Sequence, residues 1–289
     1  MFNGTYTALI TPFNRDDTVD YGCLRALVDW QIESGVEGIV AVGTTGESPT
    51  LEFDEHIDVI RAVAEAANKR VKIVAGTGAN ATKEALDLTR EVLDLGVDAT
   101  LQVTPYYNKP NNEGLYRHFA AIADLGLPVM LYNVPGRTSR ELPLNVVTRL
   151  AKHPNIVAIK EAGGSVDRVS AIRNACDIEI VSGDDSLALP MISVGATGLV
   201  SVASNVAPRE VGDLVRAALS GDFAAAQKHH ARLYPLFRDL FIDTNPVPCK
   251  TALHLLGRAP LHLRLPLCET TPEITAQIKT TLAACGISK

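Results

Sequence analysis

The chain has 289 residues, 46% apolar and 21% charged, a composition that fills a large core and excludes an intrinsically disordered chain. Its 27 Lys and Arg against 33 Asp and Glu leave a formal charge of −6. That is the wrong balance for binding along a nucleic-acid backbone, although a few local cations would still hold a small anionic substrate.

Along the chain, short β-branched runs alternate with longer segments of helical spacing. A strand over Thr7–Ile10 precedes a helix over Tyr21–Glu33, and a strand over Gly38–Val42 precedes a helix over Asp54–Asn68. In that helix Ile57, Ile60, Val63, Ala64 and Ala67 form one apolar stripe. The pattern continues as Val71–Ala75 and Thr82–Leu95, Ala99–Val103 and Asn112–Asp124, Val129–Asn133 and Leu144–Lys152, then Ile156–Lys160 and Asp167–Asn174. Ile178–Ser182 and Leu187–Ser193, then Gly198–Val202 and Pro208–Leu219, complete it. Most of the strands are apolar on both faces, as parallel strands covered by helices are. Eight such units predict an α/β fold, a (β/α)8 TIM barrel over residues 1–221. Residues 222–289 predict only helices, near Asp222–Leu240, Val247–Leu256 and Pro272–Cys285, forming a C-terminal helical appendage packed on the barrel. The stretch Asn245–Pro248 reads as a hinge between two of them. The competing architecture is a doubly wound open sheet. Gly76, Gly78 and Ala81 match GxGxxA after a strand, but the next strand runs into Thr104 and Pro105 instead of the acidic residue a dinucleotide site needs.

The five cysteines, Cys23, Cys176, Cys249, Cys268 and Cys285, are odd in number and contain no CxxC pair. Reduced thiols and a cytoplasmic location are therefore expected. The N-terminal MFNGTYTALITPFNRDD lacks a basic leader, and no apolar stretch is long enough for a bilayer, so no secretory signal and no membrane span are expected. There is no HExxH, no histidine–acid cluster at ligand spacing, no GxxxxGK[ST] and no GxSxG. The expectation is chemistry without a metal or an organic cofactor.

Catalytic groups of such a barrel gather at the C-terminal ends of its strands. Lys160 closes the apolar run Ile156–Ile159. A lysine there points into or above the mouth, where desolvation disfavours an ammonium, and a neutral amine can form a Schiff base with a carbonyl substrate. Alternatively it snorkels to the surface and pairs with Glu161. Tyr132 ends the neighbouring strand, as a proton shuttle or as a packed rim aromatic. Thr44 and Thr45 lie between two glycines, in a loop suited to a small carboxylate or in an ordinary polar turn. Arg137 follows Pro135-Gly136, as a bidentate carboxylate holder or as a solvated arginine. Taken as a set, a lysine with hydroxyl helpers and carboxylate holders reads as class I aldolase-type carbon–carbon chemistry.

The motifs GTTGES (Gly43–Ser48), VTPYYNKP (Val103–Pro110), YNVPGRT (Tyr132–Thr138), IKEA (Ile159–Ala162), SGDD (Ser182–Asp185) and NPVPCK (Asn245–Lys250) occur in this order. Together they resemble the dihydrodipicolinate synthase (4-hydroxy-tetrahydrodipicolinate synthase) family over essentially the whole chain. The resemblance implies that Lys160 captures pyruvate as an imine, whose enamine attacks L-aspartate 4-semialdehyde. It makes Tyr132 the proton donor and acceptor, with Thr44 and Tyr107 completing the relay. Tyr107 then acts in a neighbouring subunit, which implies a homo-oligomer, usually a dimer of dimers. Thr45 and the backbone of Val200 become the pyruvate carboxylate contacts, Arg137 the holder of the semialdehyde carboxylate, and Gly183 and Asp184 lining residues. An allosteric L-lysine pocket is implied at Ser48, Pro49, Phe53, His56, Asn80, Ala81, Glu84 and Tyr106. Phe53 and Pro49 depart from the inhibited pattern, so the expected inhibition is weakened. Asn80 and Glu84 otherwise simply begin a helix. Two rivals remain open at this point: a sugar-acid aldolase on the same barrel, such as an N-acetylneuraminate lyase, and a non-catalytic keto-acid sensor.

Overall fold

The structure, a computed structural model, describes residues 2–288. Successive side chains of a strand point to opposite faces, so a strand covered on both sides must be apolar throughout. Eight segments of this kind form the sheet: β1 Gly4–Ala8, β2 Gly38–Ala41, β3 Lys72–Gly76, β4 Ala99–Val103, β5 Val129–Asn133, β6 Ile156–Glu161, β7 Glu179–Ser182 and β8 Gly198–Ser201. They close in sequence order into a parallel barrel, with β8 pairing back onto β1. This is the TIM barrel expected from the sequence. The open doubly wound sheet is excluded.

β1 lies three residues earlier than predicted, because the apolar Leu9 and Ile10 fall in the loop that follows it. The helix predicted over Thr82–Leu95 ends at Glu91.

Inward residues, among them Tyr6, Val40, Val74, Leu101, Met130, Ala158, Val181 and Val200, form one apolar cluster on the barrel axis. Outward residues such as Ile39, Ile73, Leu131, Ile159, Ile180 and Leu199 join the surrounding helices in a second, larger one. Glycine is needed where strands crowd. A Cβ on Gly38 would lie 2.2 Å from the Tyr6 ring. The GxGxxA glycines have the same explanation: a Cβ on Gly76 would lie 2.2 Å from the Val42 carbonyl oxygen, and one on Gly78 would lie 2.4 Å from the Val103 nitrogen.

After β8 and the helix Pro208–Leu219 come the helices Phe223–Asp239, Val247–Leu255 and Pro272–Ala284. The first packs along Pro208–Leu219 and contacts the last. Side chains of the appendage reach the C-terminal mouth of the barrel, where they bear on the site described next.

Candidate active site

Strand alternation sets the direction of Lys160. Ala158 packs into the barrel interior and Ile159 against the outer helices, so residue 160 turns inward again. Tyr132 and Lys160 are Cα partners in the β5–β6 ladder. Lys160 Nζ lies 4.3 Å from the centroid of the Tyr132 ring. Both residues are 6% exposed.

Glu161 faces the other way. Its carboxylate accepts from Asn133 Nδ2, from the Gly163 N–H and from Arg168 Nε, each at 2.8 Å. The surface Lys160–Glu161 pair left open by the sequence is therefore absent. Among the described residues the Lys160 amine has no hydrogen-bond or ion-pair partner, and it sits against a phenol ring. Asp184 lies within its electrostatic reach: burial pushes that carboxyl up, and the charge of Lys160 pulls the other way.

Gly183 contributes space. A Cβ there would stand 3.0 Å from Lys160 Cε and 2.6 Å from Ala162 Cβ, so any side chain would displace the lysine stem or its neighbour. Val200 is fully buried in β8, paired with Tyr6, with its side chain on the barrel axis.

The GTTGES loop begins from a strained residue. Val42 is β-branched yet has φ 56°, in the left-handed region. Its carbonyl fits only because Gly76 lacks a Cβ. The Gly46 N–H donates to Gly43 O at 3.0 Å, the Glu47 N–H to Thr44 O at 3.1 Å, and Thr11 Oγ1 to Gly46 O at 2.7 Å. Glu47 then points inward and forms an ion pair with Lys250, both side chains being fully buried. Lys250 Nζ also donates to the His262 carbonyl at 2.9 Å and stands over the Phe13 ring. Burial pushes the Lys250 ammonium down, and Glu47 opposes that shift.

The segment read as a hinge is a second tie to the same mouth. Asn245 through Lys250 are all buried. Asn245 Nδ2 donates to Thr45 Oγ1 at 3.0 Å, and the Asn245 carbonyl accepts from Arg137 Nη2 at 3.1 Å. Asn-Pro marks a turn from sequence, but its hydrogen bonds here lie 200 and 108 residues away. The hinge expectation is therefore corrected: the segment is a fixed wall of the mouth. Arg137, although exposed, is not purely solvated, because one guanidinium nitrogen is held by that wall.

A cavity of about 540 Å³ opens at the mouth. Thr44, Tyr132 and Arg137 line one part of it, and Ser48, Pro49, Phe53, His56, Glu84 and Tyr106 line another. Lys160, Thr45, Val200 and Gly183 are not among its lining residues, and the amine borders it through Tyr132. His56 is buried, with its Nε2–H donating to Gly76 O at 2.7 Å. Burial, assisted by Glu84, pushes the Tyr106 phenol up. Asn80 stands outside the lining set, its carbonyl accepting from Asn108 Nδ2 at 2.8 Å. Tyr107 is 90% exposed with φ 72° and does not line the cavity of its own chain. Among the described residues, no group of three or more His, Cys, Asp or Glu side chains is placed to hold a metal ion.

Sequence reasoning missed the Glu47–Lys250 pair and the role of Asn245. A lysine inside the otherwise apolar helix segment VPCKTAL was the available signal for the first; nothing local signals the second.

The family model described as "Dihydrodipicolinate synthetase family" matches residues 1–285. The chain is 49% identical to the 4-hydroxy-tetrahydrodipicolinate synthase of Syntrophotalea carbinolica, over 99% of each chain. Among solved structures it is similar to the chloride-inhibited dihydrodipicolinate synthase of Acinetobacter baumannii complexed with pyruvate. There the TM-score is 0.98 and the identity 44%, covering 99% of this chain and 100% of that one. It is likewise similar to the lysine-bound enzyme of Cyanidioschyzon merolae, with TM-score 0.95 and 41% identity over 99% and 98% of the two chains.

Proposed function

The chain belongs to the dihydrodipicolinate synthetase family, and on that premise we propose that its mouth condenses pyruvate with L-aspartate 4-semialdehyde through an imine on Lys160. The product is 4-hydroxy-tetrahydrodipicolinate, an intermediate of lysine and diaminopimelate biosynthesis. The neutral Lys160 amine attacks the keto carbon, and the carbinolamine loses water to give the imine. Loss of a methyl proton gives an enamine, whose carbon attacks the aldehyde. The amino group of the second substrate then closes on the imine carbon and releases the Lys160 amine. Tyr132, against the amine, donates and removes these protons, with Thr44 and Tyr107 carrying them onward. Thr45 and the Val200 backbone hold the pyruvate carboxylate, Arg137 holds the semialdehyde carboxylate, and Gly183 keeps the lysine stem clear. The reaction needs no metal and no organic cofactor.

The observation that supports this reading most is the buried amine of Lys160, without a hydrogen-bond or ion-pair partner among the described residues and 4.3 Å from the Tyr132 ring. Tyr107, exposed on its own chain, is suited to the mouth of a second copy, which supports a homo-oligomer; the resemblance extends that to a dimer of dimers. No helix among the described residues is long and apolar enough to cross a membrane; a cytoplasmic enzyme without membrane or nucleic-acid partners is proposed from its family and its acidic charge balance. The barrel of residues 1–221 carries the chemistry, and the helices of 222–289 hold its mouth. Initial rates on pyruvate plus semialdehyde, compared with cleavage of N-acetylneuraminate and keto-deoxy sugar acids, test the substrate. The highest kcat/KM is expected for the semialdehyde; a higher value on a sugar acid contradicts the assignment.

The same cavity supports L-lysine as a regulator. Glu84 offers a charge for its amines, and Ser48, Pro49, His56 and Tyr106 line the same space; Asn80, outside that lining, would have to reach the ligand from beside it. Phe53, 41% exposed, removes a polar partner and leaves only packing on the methylene chain. Saturating lysine should lower the rate, and Phe53→His should lower the concentration for half inhibition. Full activity at saturating lysine contradicts this regulation.

A further inference from the structure

We infer that Asn245 is a positioning residue that fixes the hydroxyl of Thr45 as a hydrogen-bond donor to the keto-acid carboxylate. The inference rests on the function proposed above. A threonine hydroxyl has one proton and two acceptor lone pairs, and which it uses depends on its partner. The amide Nδ2 can only donate. With Asn245 Nδ2 at 3.0 Å, Thr45 Oγ1 accepts, and its own proton must point elsewhere. Among the described residues nothing else bonds to that hydroxyl. The two residues are 3% and 5% exposed, so bulk water competes poorly for it.

Asn245 Oδ1 has no hydrogen-bond partner among the described residues; as an acceptor it cannot be satisfied by a carboxylate, so the Nδ2–Thr45 bond alone carries the link to the substrate. Asn245 is held against movement at its backbone, where its carbonyl accepts from Arg137 Nη2. Its side chain therefore serves the pyruvate contact alone, while its backbone serves the arginine and is untouched by side-chain substitution.

That division gives a selective test. Asn245→Asp turns the donor into an acceptor, which captures the Thr45 proton and places a negative charge beside the substrate carboxylate. Asn245→Ala removes the donor without reversing it. The pyruvate concentration giving half-maximal borohydride trapping on Lys160 should rise roughly tenfold or more in the aspartate variant and a few-fold in the alanine variant. The KM for the semialdehyde and the kcat at saturating pyruvate should stay within about threefold, since Arg137 and Lys160 keep their partners. On a Thr45→Val background, Asn245→Asp should add a smaller factor than it does alone. An unchanged half-saturation in both variants overturns the inference, as does an equal penalty with and without the Thr45 hydroxyl. A fall in melting temperature with no change in half-saturation would make Asn245 merely structural, and also overturns it. Trapping on wild-type Lys160 is the control: its absence would count against the proposed reaction itself and not against Asn245.

Discussion

Lys160→Ala should lose turnover by at least roughly 10³-fold, because no other group can supply the covalent step. The fold should persist. The amine makes no ion pair or hydrogen bond among the described residues, so its removal breaks none; Asp184 loses only a more distant compensating charge. The lost stem leaves a small void against Tyr132, costing about 1–3 kcal/mol. Initial rates together with a thermal melt separate the two effects. A near wild-type rate would remove the imine from the mechanism; loss of the cooperative melt would mean that Lys160 is structural.

Lys250→Ala should have the largest effect on stability. Both members of the Glu47–Lys250 pair are fully buried, and removing one partner leaves an uncompensated carboxylate at a cost of about 3–5 kcal/mol. For a chain of this size the melting temperature should fall by roughly 5–8 °C. Glu47 ends the GTTGES loop, so kcat/KM should fall as well, through Thr44 and Thr45. Pairing the change with Glu47→Gln should recover part of the stability, since the amide carries no charge. An unchanged melting temperature in Lys250→Ala would contradict the role of this pair.

These two lysines illustrate what a chain reveals of itself. Lys160 was legible as a candidate because it closes an apolar strand at the end where such barrels gather their chemistry, and Tyr132 because it ends the neighbouring strand; the outward pairing of Lys160 with Glu161 stayed open until the register with Ala158 turned the side chain inward. The closed barrel was legible because eight apolar runs, each followed by a helical stripe, leave few other ways to cover both faces. Lys250 was legible only as an oddity, a charge in an apolar helix whose partner lies 203 positions upstream. Asn245 was misread altogether. Asn-Pro favours a turn wherever it occurs, and local chemistry does not distinguish a free turn from one whose amide is bonded to the opposite side of the mouth. Tyr107 was found by resemblance and not from its residue chemistry, since a side chain facing out of its own chain has no local signal of use. Strand ends were legible to within a few residues, with the largest shift at β1, where apolar loop residues imitate a strand.

The most direct measurement of the covalent mechanism is borohydride reduction in the presence of pyruvate, followed by peptide mass mapping of the intact enzyme. One reduced pyruvate should be found on the peptide containing Lys160, and none in Lys160→Ala. An adduct on a different lysine, or no adduct in an enzyme that turns over, would contradict it.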